Sequence, residues 1–383
     1  MLLQRSISAI FLFLVLFAAS PAPAQTAIAP IETAAREAYL IDANTGTTLY
    51  AKEGNTRMVP SSMSKLMTMY VVFEAIRNGK MKLDEELPVS EHAWKQEGSR
   101  MFLNVNQKAK VEDLIRGVIV QSGNDASVVL AEALGGSEQG FAEQLNAKAQ
   151  KLGLTGSHFV NSTGLPDPEH YSTAHDLALV SYALIRDFPE DYHYFSEKEF
   201  AYNNIKQGNR NPLLYRNMDV DGLKTGHTES GGFGLAASAL RNGRRLVLVL
   251  NGMTNMQERA DESAKMLDWG YREFGLYPVV KAGSKVADAE VWLGEAPAVA
   301  LVIAENLELT LPRAARSGLK LEITYDQPVP APIRQGQPLG KLTVTAPGME
   351  PKEIALHAAN DIPKVGFMAE IKAKLRQLID GKS

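Results

Sequence analysis

The sequence predicts an α+β fold, an antiparallel sheet with helices around a central buried helix, followed by a small all-β, sandwich-like domain. Three observations carry that expectation. Strand-forming runs lie on both sides of a long stretch with helical periodicity. Within that stretch residues 62–77 are apolar on every side. Beyond Tyr277-Pro278 the composition shifts to short β-rich runs broken by Pro and Gly.

Taken in order, residues 38–50 (AYLIDANTGTTLY) read as two strands around the turn residues Asn44, Thr45 and Gly46. Residues 62–77 are helical, with Asn78-Gly79 as the stop signal. Met63, Leu66, Met67, Met69, Tyr70, Phe73 and Ile76 surround that helix, so it belongs in a core. Helical segments follow at 111–120, 126–134, 140–152 and 174–185. Between them residues 161–171 (NSTGLPDPEHY) form a loop of turn formers. In residues 232–252 two apolar runs flank Asn242-Gly243, the strongest short hairpin signal. A last helix of this region spans about 258–274. From 277 to 362 the runs VWLG, LELTL, LKLEITY and KLTVTA read as a small antiparallel β domain with no cluster of chemically active side chains. The expected organisation is therefore a leader at 1–24, a main domain at 25–276, the β domain at 277–362 and a terminal helix at 363–380.

The chain has 383 residues, enough for about two to three domains. A net charge of −4 and the absence of a long basic block before the tail offer no argument for nucleic acid as a partner, and none is expected. Arg5 is the only charge in residues 1–24, residues 9–19 are apolar, and Ala22-Pro23-Ala24 is a small-x-small cleavage site. The alternative is a retained membrane helix, but the apolar run is short against the about 20 residues a span needs. Export is expected. The chain has no cysteine, which excludes disulfides, thiol nucleophiles and thiolate metal sites. His170 and His175, five apart and followed by Asp176, do not share a helix face, and no HExxH occurs. No metal and no cofactor is expected.

Three short motifs remain. Ser62-Met63-Ser64-Lys65 is an S-x-x-K, which puts a hydroxyl and an amine one helical turn apart on one face. Ser122-Gly123-Asn124 is an S-x-N between two helical segments, and Lys224-Thr225-Gly226 is a K-T-G just before the hairpin. Singly each is weak: a chain this long contains roughly one S-x-x-K, one S-x-N and ~0.1 K-T-G by chance. A serine N-cap and a polar strand end would explain the first and third without chemistry. Together, in this order, they match the set that marks penicillin-binding serine acyl-transferases.

The wider sequence resembles the low-molecular-mass penicillin-binding proteins that act as D-alanyl-D-alanine carboxypeptidases. The resemblance covers residues 38–367 and includes MFLNVNQ, GVIVQSGNDAS, KLGLTGSHFVN, YSTAHDLAL, NRNPLL, DGLKTGHT and MLDWGYREF, with VWLGE and ITYDQPVPAPIRQGQPLG in the β domain. It implies a penicillin-binding/β-lactamase-like fold and a division of labour. Ser62 is then the nucleophile and Lys65 its base, with Ser122 and Asn124 lining the cleft opposite. Lys224, Thr225 and Gly226 form its strand wall, and the N–H groups of Ser62 and His227 make the oxyanion hole. Arg210 and Arg259 match arginines near the family's cleft, and Arg259 is a candidate for the substrate's terminal carboxylate. The implied reaction removes the last D-alanine of a peptidoglycan pentapeptide through an acyl-enzyme on Ser62, which β-lactams would also acylate. Ser127, His170 and His175 stand where the family's pattern varies.

The physics is compatible. Serine attacks only when a base takes its proton. Lysine is that base only when its charged form is disfavoured, which burial and a second cation, Lys224, would both do. Rival readings are a β-lactamase, which needs a second base such as Glu169; an endopeptidase of wall crosslinks, whose known forms typically lack the β domain and tail; and a non-catalytic wall-binding or β-lactam-sensing protein, which need not keep a complete acyl-transfer set. In the tail, Phe367, Ile371, Leu375 and Ile379 form one helical row with Met368 and Leu378 beside it, flanked by Lys364, Lys372, Lys374 and Arg376. Either this helix docks on the β domain or packs against another subunit, or it lies in a membrane interface and holds a periplasmic enzyme on the outer face of the inner membrane.

Overall fold

The computed structural model describes residues 30–380. The leader read at residues 1–24 lies outside the described residues. A five-stranded antiparallel sheet forms the frame, in the order Thr47–Lys52, Glu37–Asp42, Arg244–Met253, Gly232–Arg241, Val220–Thr228. The hairpin between its two longest strands turns at Asn242 and Gly243, with φ of 51° and 78°. Positive φ at both positions is what a two-residue type I′ turn requires.

The run LVLVL at 246–250 is apolar without alternation because both faces of the sheet are covered. Val247 and Val249 join a core shared with the helix Lys65–Arg77, while Leu246, Leu248 and Leu250 join Met266, Leu267 and Trp269 of the helix Met256–Glu273. A strand that alternates faces and is buried on both reads as a continuous apolar run. Lys65–Arg77 is the buried helix the sequence predicts: every residue from 65 to 73 is buried. The helices Val111–Ile119, Asn124–Gly135, Glu138–Lys151 and Ala174–Asp187 pack around it. Side chains of Ser137, Thr173 and Asn255 cap three of the helices by accepting backbone N–H groups.

One boundary differs in a way that matters. The α-helix starts at Lys65, and Ser61–Ser64 is a separate 3₁₀ turn leading into it. No serine side chain caps either segment. The N-cap alternative for S-x-x-K is therefore not realised.

The strand Phe274–Val280 runs on from the last helix and pairs with Leu307–Pro312. Beyond it lies a six-stranded sheet in the order Lys320–Tyr325, Pro338–Thr345, Lys352–Ala358, Ala298–Val302, Lys285–Trp292, Val329–Pro330. Its ladders are antiparallel except the last, which is parallel. Leu307, Leu309 and Leu311 of the two-stranded ladder share one core with Leu301, Leu342 and Leu356 of the sheet. A final helix, Phe367–Asp380, leaves Phe367, Met368, Ile371 and Leu375 exposed. The side chains of Leu378 and Ile379, the rest of the expected apolar row, lie outside the described ones. Among the described residues no helix is long and apolar enough to cross a membrane.

Candidate active site

A cleft of about 420 Å³ opens between the sheet's outer strand and the helical layer, lined by Ser62, Ser99, Ser122, Arg210, Thr225, Gly226, His227, Phe233, Met256 and Arg259. Seven of the ten residues singled out from sequence are among them. The other three, Lys65, Asn124 and Lys224, are buried immediately behind the wall.

The 3₁₀ turn presents Ser62 partly exposed at the cleft floor, while Lys65 below it is completely buried. Lys65 Nζ lies 3.1 Å from Ser62 Oγ, 2.7 Å from Asn124 Oδ1 and 2.5 Å from the Thr163 carbonyl oxygen. The last two can only accept. A neutral amine gives them its two N–H groups and turns its lone pair toward the Ser62 hydroxyl. Burial pushes the Lys65 amine down to about 7, with Arg210 as the leading neighbouring cation; Asp125 and Glu138 oppose the shift. Lys224, the second cation expected from the sequence, interacts with the same amine, since Lys65 is among the charges that lower its proton affinity. Lys224 is itself buried and held well below its ordinary range, first by burial and then by Lys65, Arg210 and Arg259.

Asn124 differs from its expected place in the lining. Its Oδ1 is taken by Lys65 and its Nδ2 donates to the Glu97 carbonyl at 2.7 Å. Sitting at the first position of the helix Asn124–Gly135, it is 4% exposed and holds the lysine, with the second N–H of its amide not engaged by either bond. Ser122 has φ of 60°, and its Oγ is buried with no hydrogen-bond partner among the described residues. A buried hydroxyl left without a partner at a cleft has its hydrogen-bonding capacity open to a ligand.

The strand Val220–Thr228 ends the sheet and is paired on one side only. It can come close to the nucleophile's turn because residue 226 is glycine. A Cβ there would stand 2.9 Å from the Pro60 carbonyl oxygen and 3.1 Å from Ser61 Cβ. Lys224 Nζ donates to the Thr225 carbonyl at 3.2 Å. His227 stacks on Phe233 with ring centroids 3.9 Å apart, and the Arg259 guanidinium lies over the Phe233 ring at 5.7 Å.

Arg210 donates to Ser99 Oγ, and Arg259 donates to the Arg210 carbonyl at 3.5 Å. The Arg259 Nε is buried without a partner among the described residues. Burial, with Arg210 next, brings Arg259 down to about 10. Among the described residues no acidic side chain lines the cleft. A cluster of basic side chains that lacks a counter-charge fits an anionic ligand, whose arrival would relieve the mutual repulsion. Glu169, the acid a β-lactamase reading would use, is exposed and outside the lining.

Sequence reasoning did not reach Ser99, Phe233, Met256 or the Thr163 carbonyl. The first three carry no motif. The fourth is a backbone group in the turn-rich loop at 161–171, where only the density of turn formers hints at a constrained path. His170 and His175 serve different contacts: His170 meets Ser64, while His175 meets Asp176 and packs on Tyr39.

Residues 23–255 match the family described as D-alanyl-D-alanine carboxypeptidase, and residues 274–364 match the family described as penicillin-binding protein 5, C-terminal domain. The D-alanyl-D-alanine carboxypeptidase DacA of Haemophilus influenzae is 36% identical over 94% of this chain and 93% of its own. The crystal structure of penicillin-binding protein 5 from Haemophilus influenzae superposes with a TM-score of 0.81 at 37% identity, covering 88% of this chain and all of that one. Penicillin-binding protein D2 of Listeria monocytogenes, solved with cefotaxime bound, gives a TM-score of 0.59 at 28% identity over 63% of this chain and 99% of its own.

Proposed function

Because the chain belongs to the D-alanyl-D-alanine carboxypeptidase family, we propose a residue-by-residue account of how its cleft works. The protein is a serine-type D-alanyl-D-alanine carboxypeptidase, a peptidase that hydrolyses the terminal D-Ala–D-Ala bond of peptidoglycan stem peptides. The observation that carries the residue roles is the contact of Ser62 Oγ with a buried, easily neutralised Lys65 Nζ at the floor of a cationic cleft.

Neutral Lys65 takes the Ser62 proton as Oγ attacks the carbonyl carbon of the penultimate D-alanine. The N–H groups of Ser62 and His227 receive the oxyanion, helped by the positive end of the helix behind Ser62. Ser122 passes its proton to the departing amine and is refilled from protonated Lys65, which returns to the neutral form; the C–N bond breaks, and D-alanine leaves with its carboxylate. Arg259, with Arg210, Lys224 and Thr225, holds that carboxylate before and during the step. Water then attacks the acyl ester, Lys65 again taking the proton and returning it to Ser62 Oγ as the ester C–O bond breaks, so Ser62 is regenerated. A β-lactam enters the same way, with its ring amide in place of the peptide bond.

We place the enzyme in the periplasm, exported by residues 1–24 and held on the outer face of the inner membrane by the terminal helix. The exposed Phe367, Met368, Ile371 and Leu375 support that placement, since an apolar face left in water favours an interface. The test of the catalytic roles is Ser62→Ala, assayed for labelling by a fluorescent penicillin and for free D-alanine from a pentapeptide. Both signals should vanish with the fold unchanged by circular dichroism. A covalent adduct on the Ser62→Ala variant would remove Ser62 from the nucleophile's role.

A further inference from the structure

Ser61, the residue before the nucleophile, has a φ of 51°, in the left-handed region that an L-residue with a side chain occupies only when its surroundings impose it. It is 1% exposed, and the contacts that impose the conformation can be traced. Its Oγ meets Thr228 Oγ1 at 2.9 Å, and that hydroxyl in turn accepts the Gly231 N–H at 3.0 Å. The loop carrying Gly164 presses on its carbonyl so closely that a Cβ on Gly164 would fall 1.9 Å from the Ser61 oxygen. The third contact runs through a buried histidine.

Val160 N–H donates to His170 Nδ1 at 3.2 Å, so that nitrogen carries no proton in the neutral ring. The proton is then on Nε2, which lies 2.8 Å from Ser64 Oγ. With one lone pair of Ser64 Oγ occupied by that donor, its own hydrogen goes to the Ser61 carbonyl, also at 2.8 Å. The relay Val160 N–H, His170, Ser64, Ser61 has one self-consistent direction, and it ends on the peptide unit that sets the position of Ser62.

We propose that His170 and Ser64 are positioning residues for the nucleophile: through this directed relay they hold Ser61 left-handed and so keep Ser62 Oγ in line with Lys65. The inference rests on the assignment of Ser62 as nucleophile. Nothing in it requires His170 to touch substrate. The imidazole is 2% exposed and is packed edge-on against Phe159 at 5.6 Å. Asp167 of its own loop, His158 across the bridge to Tyr171, and Lys65 of the buried helix are the charged or titratable groups that face it. Burial outweighs Asp167 and brings the ring down to about 4, so it stays neutral throughout the range in which Lys65 works. Protonation at Nδ1 would set two N–H groups against each other at Val160.

His170→Leu removes the donor, whereas His170→Gln returns an amide N–H to the place of Nε2. In His170→Leu the rate constant for acylation by a fluorescent penicillin and the kcat for D-alanine release should fall about tenfold, the scale of one misdirected hydrogen bond. KM for the pentapeptide should not move. His170→Gln should recover most of the rate, Ser64→Ala should lose as much as His170→Leu, and the double variant should be no slower than either alone. Wild-type kcat in Ser64→Ala overturns the proposal even if His170→Leu does not fold, and so does a loss shared by KM or additive losses in the double variant. Failure of the wild-type enzyme to be labelled at all would instead overturn the assignment of Ser62.

Discussion

At the scale of single residues, the chemistry turns on the charge state of Lys65. Its two acceptors satisfy a neutral amine, and burial brings its proton affinity from the ordinary 10.5 to about 7. The base form therefore accumulates as pH rises through about 7, and acylation should rise over the same interval before falling as a group needed in its protonated form is lost. Stopped-flow acylation between about pH 5.5 and 9 checks this, and a rate that falls with pH across the lower half of that range would contradict it. Lys65→Arg should be nearly inactive, because a guanidinium keeps its proton. The same depression makes folding pH-dependent. The unfolded lysine binds a proton up to about 10.5 while the folded one releases it near 7, so stability is greatest above that window and declines as pH falls through it.

At the scale of elements, the site depends on the close approach of an edge strand to a helical turn. The strand Val220–Thr228 lies against Ser61–Ser64 because Gly226 has no side chain to hold it away. Gly226→Val should force the strand back from Pro60 and Ser61, widening the gap between Lys224 and Ser62. A displacement of even about 1 Å costs on the order of a hundredfold in rate where geometry is this constrained. The expected result is at least a tenfold loss of acylation with the far-ultraviolet spectrum preserved; unchanged acylation would mean that the strand does not hold the substrate. Residues 232–252 and 62–77 were legible as elements for a simple reason. An Asn-Gly turn and an all-round apolar helix are local signals that tertiary packing reinforces rather than opposes. The 3₁₀ turn at Ser61–Ser64 was not legible. Its left-handed Ser61 is imposed by Thr228, Ser64 and Gly164, two of them more than a hundred residues away.

At the scale of the whole molecule, the cleft is assembled entirely from residues 62–259, and the β region has its own core. Among the described side chains of the terminal helix, Phe367, Met368, Ile371 and Leu375 belong to none of the three cores and are exposed. A protein ending at Ile362 should therefore lose binding to anionic phospholipid vesicles while keeping full activity on a pentapeptide. Vesicle binding that survives the truncation would defeat the anchor reading, and activity that falls with it would give the helix a second role.

The amino-acid sequence by itself determined the main helices, the long hairpin and which family's chemistry they serve. Periodicity, turn pairs and the three-residue spacing from Ser62 to Lys65 are properties of a few consecutive residues, and backbone geometry converts them directly into structure. The order of S-x-x-K, S-x-N and K-T-G named the remaining partners only through resemblance, since no local rule brings Ser122, Arg210 and Lys224 to one cleft. Tertiary structure alone decided that the Asn124 amide is anchored on the Glu97 carbonyl, that Arg210 is a cationic neighbour of the lysine, and that the Thr163 carbonyl completes the lysine's cage. It also decided that His170 sits neutral behind the nucleophile. The physical reason is that desolvation and mutual repulsion are collective. Each depends on how many distant segments close around a group, and that number exists only once the sheet and the buried helix have packed together.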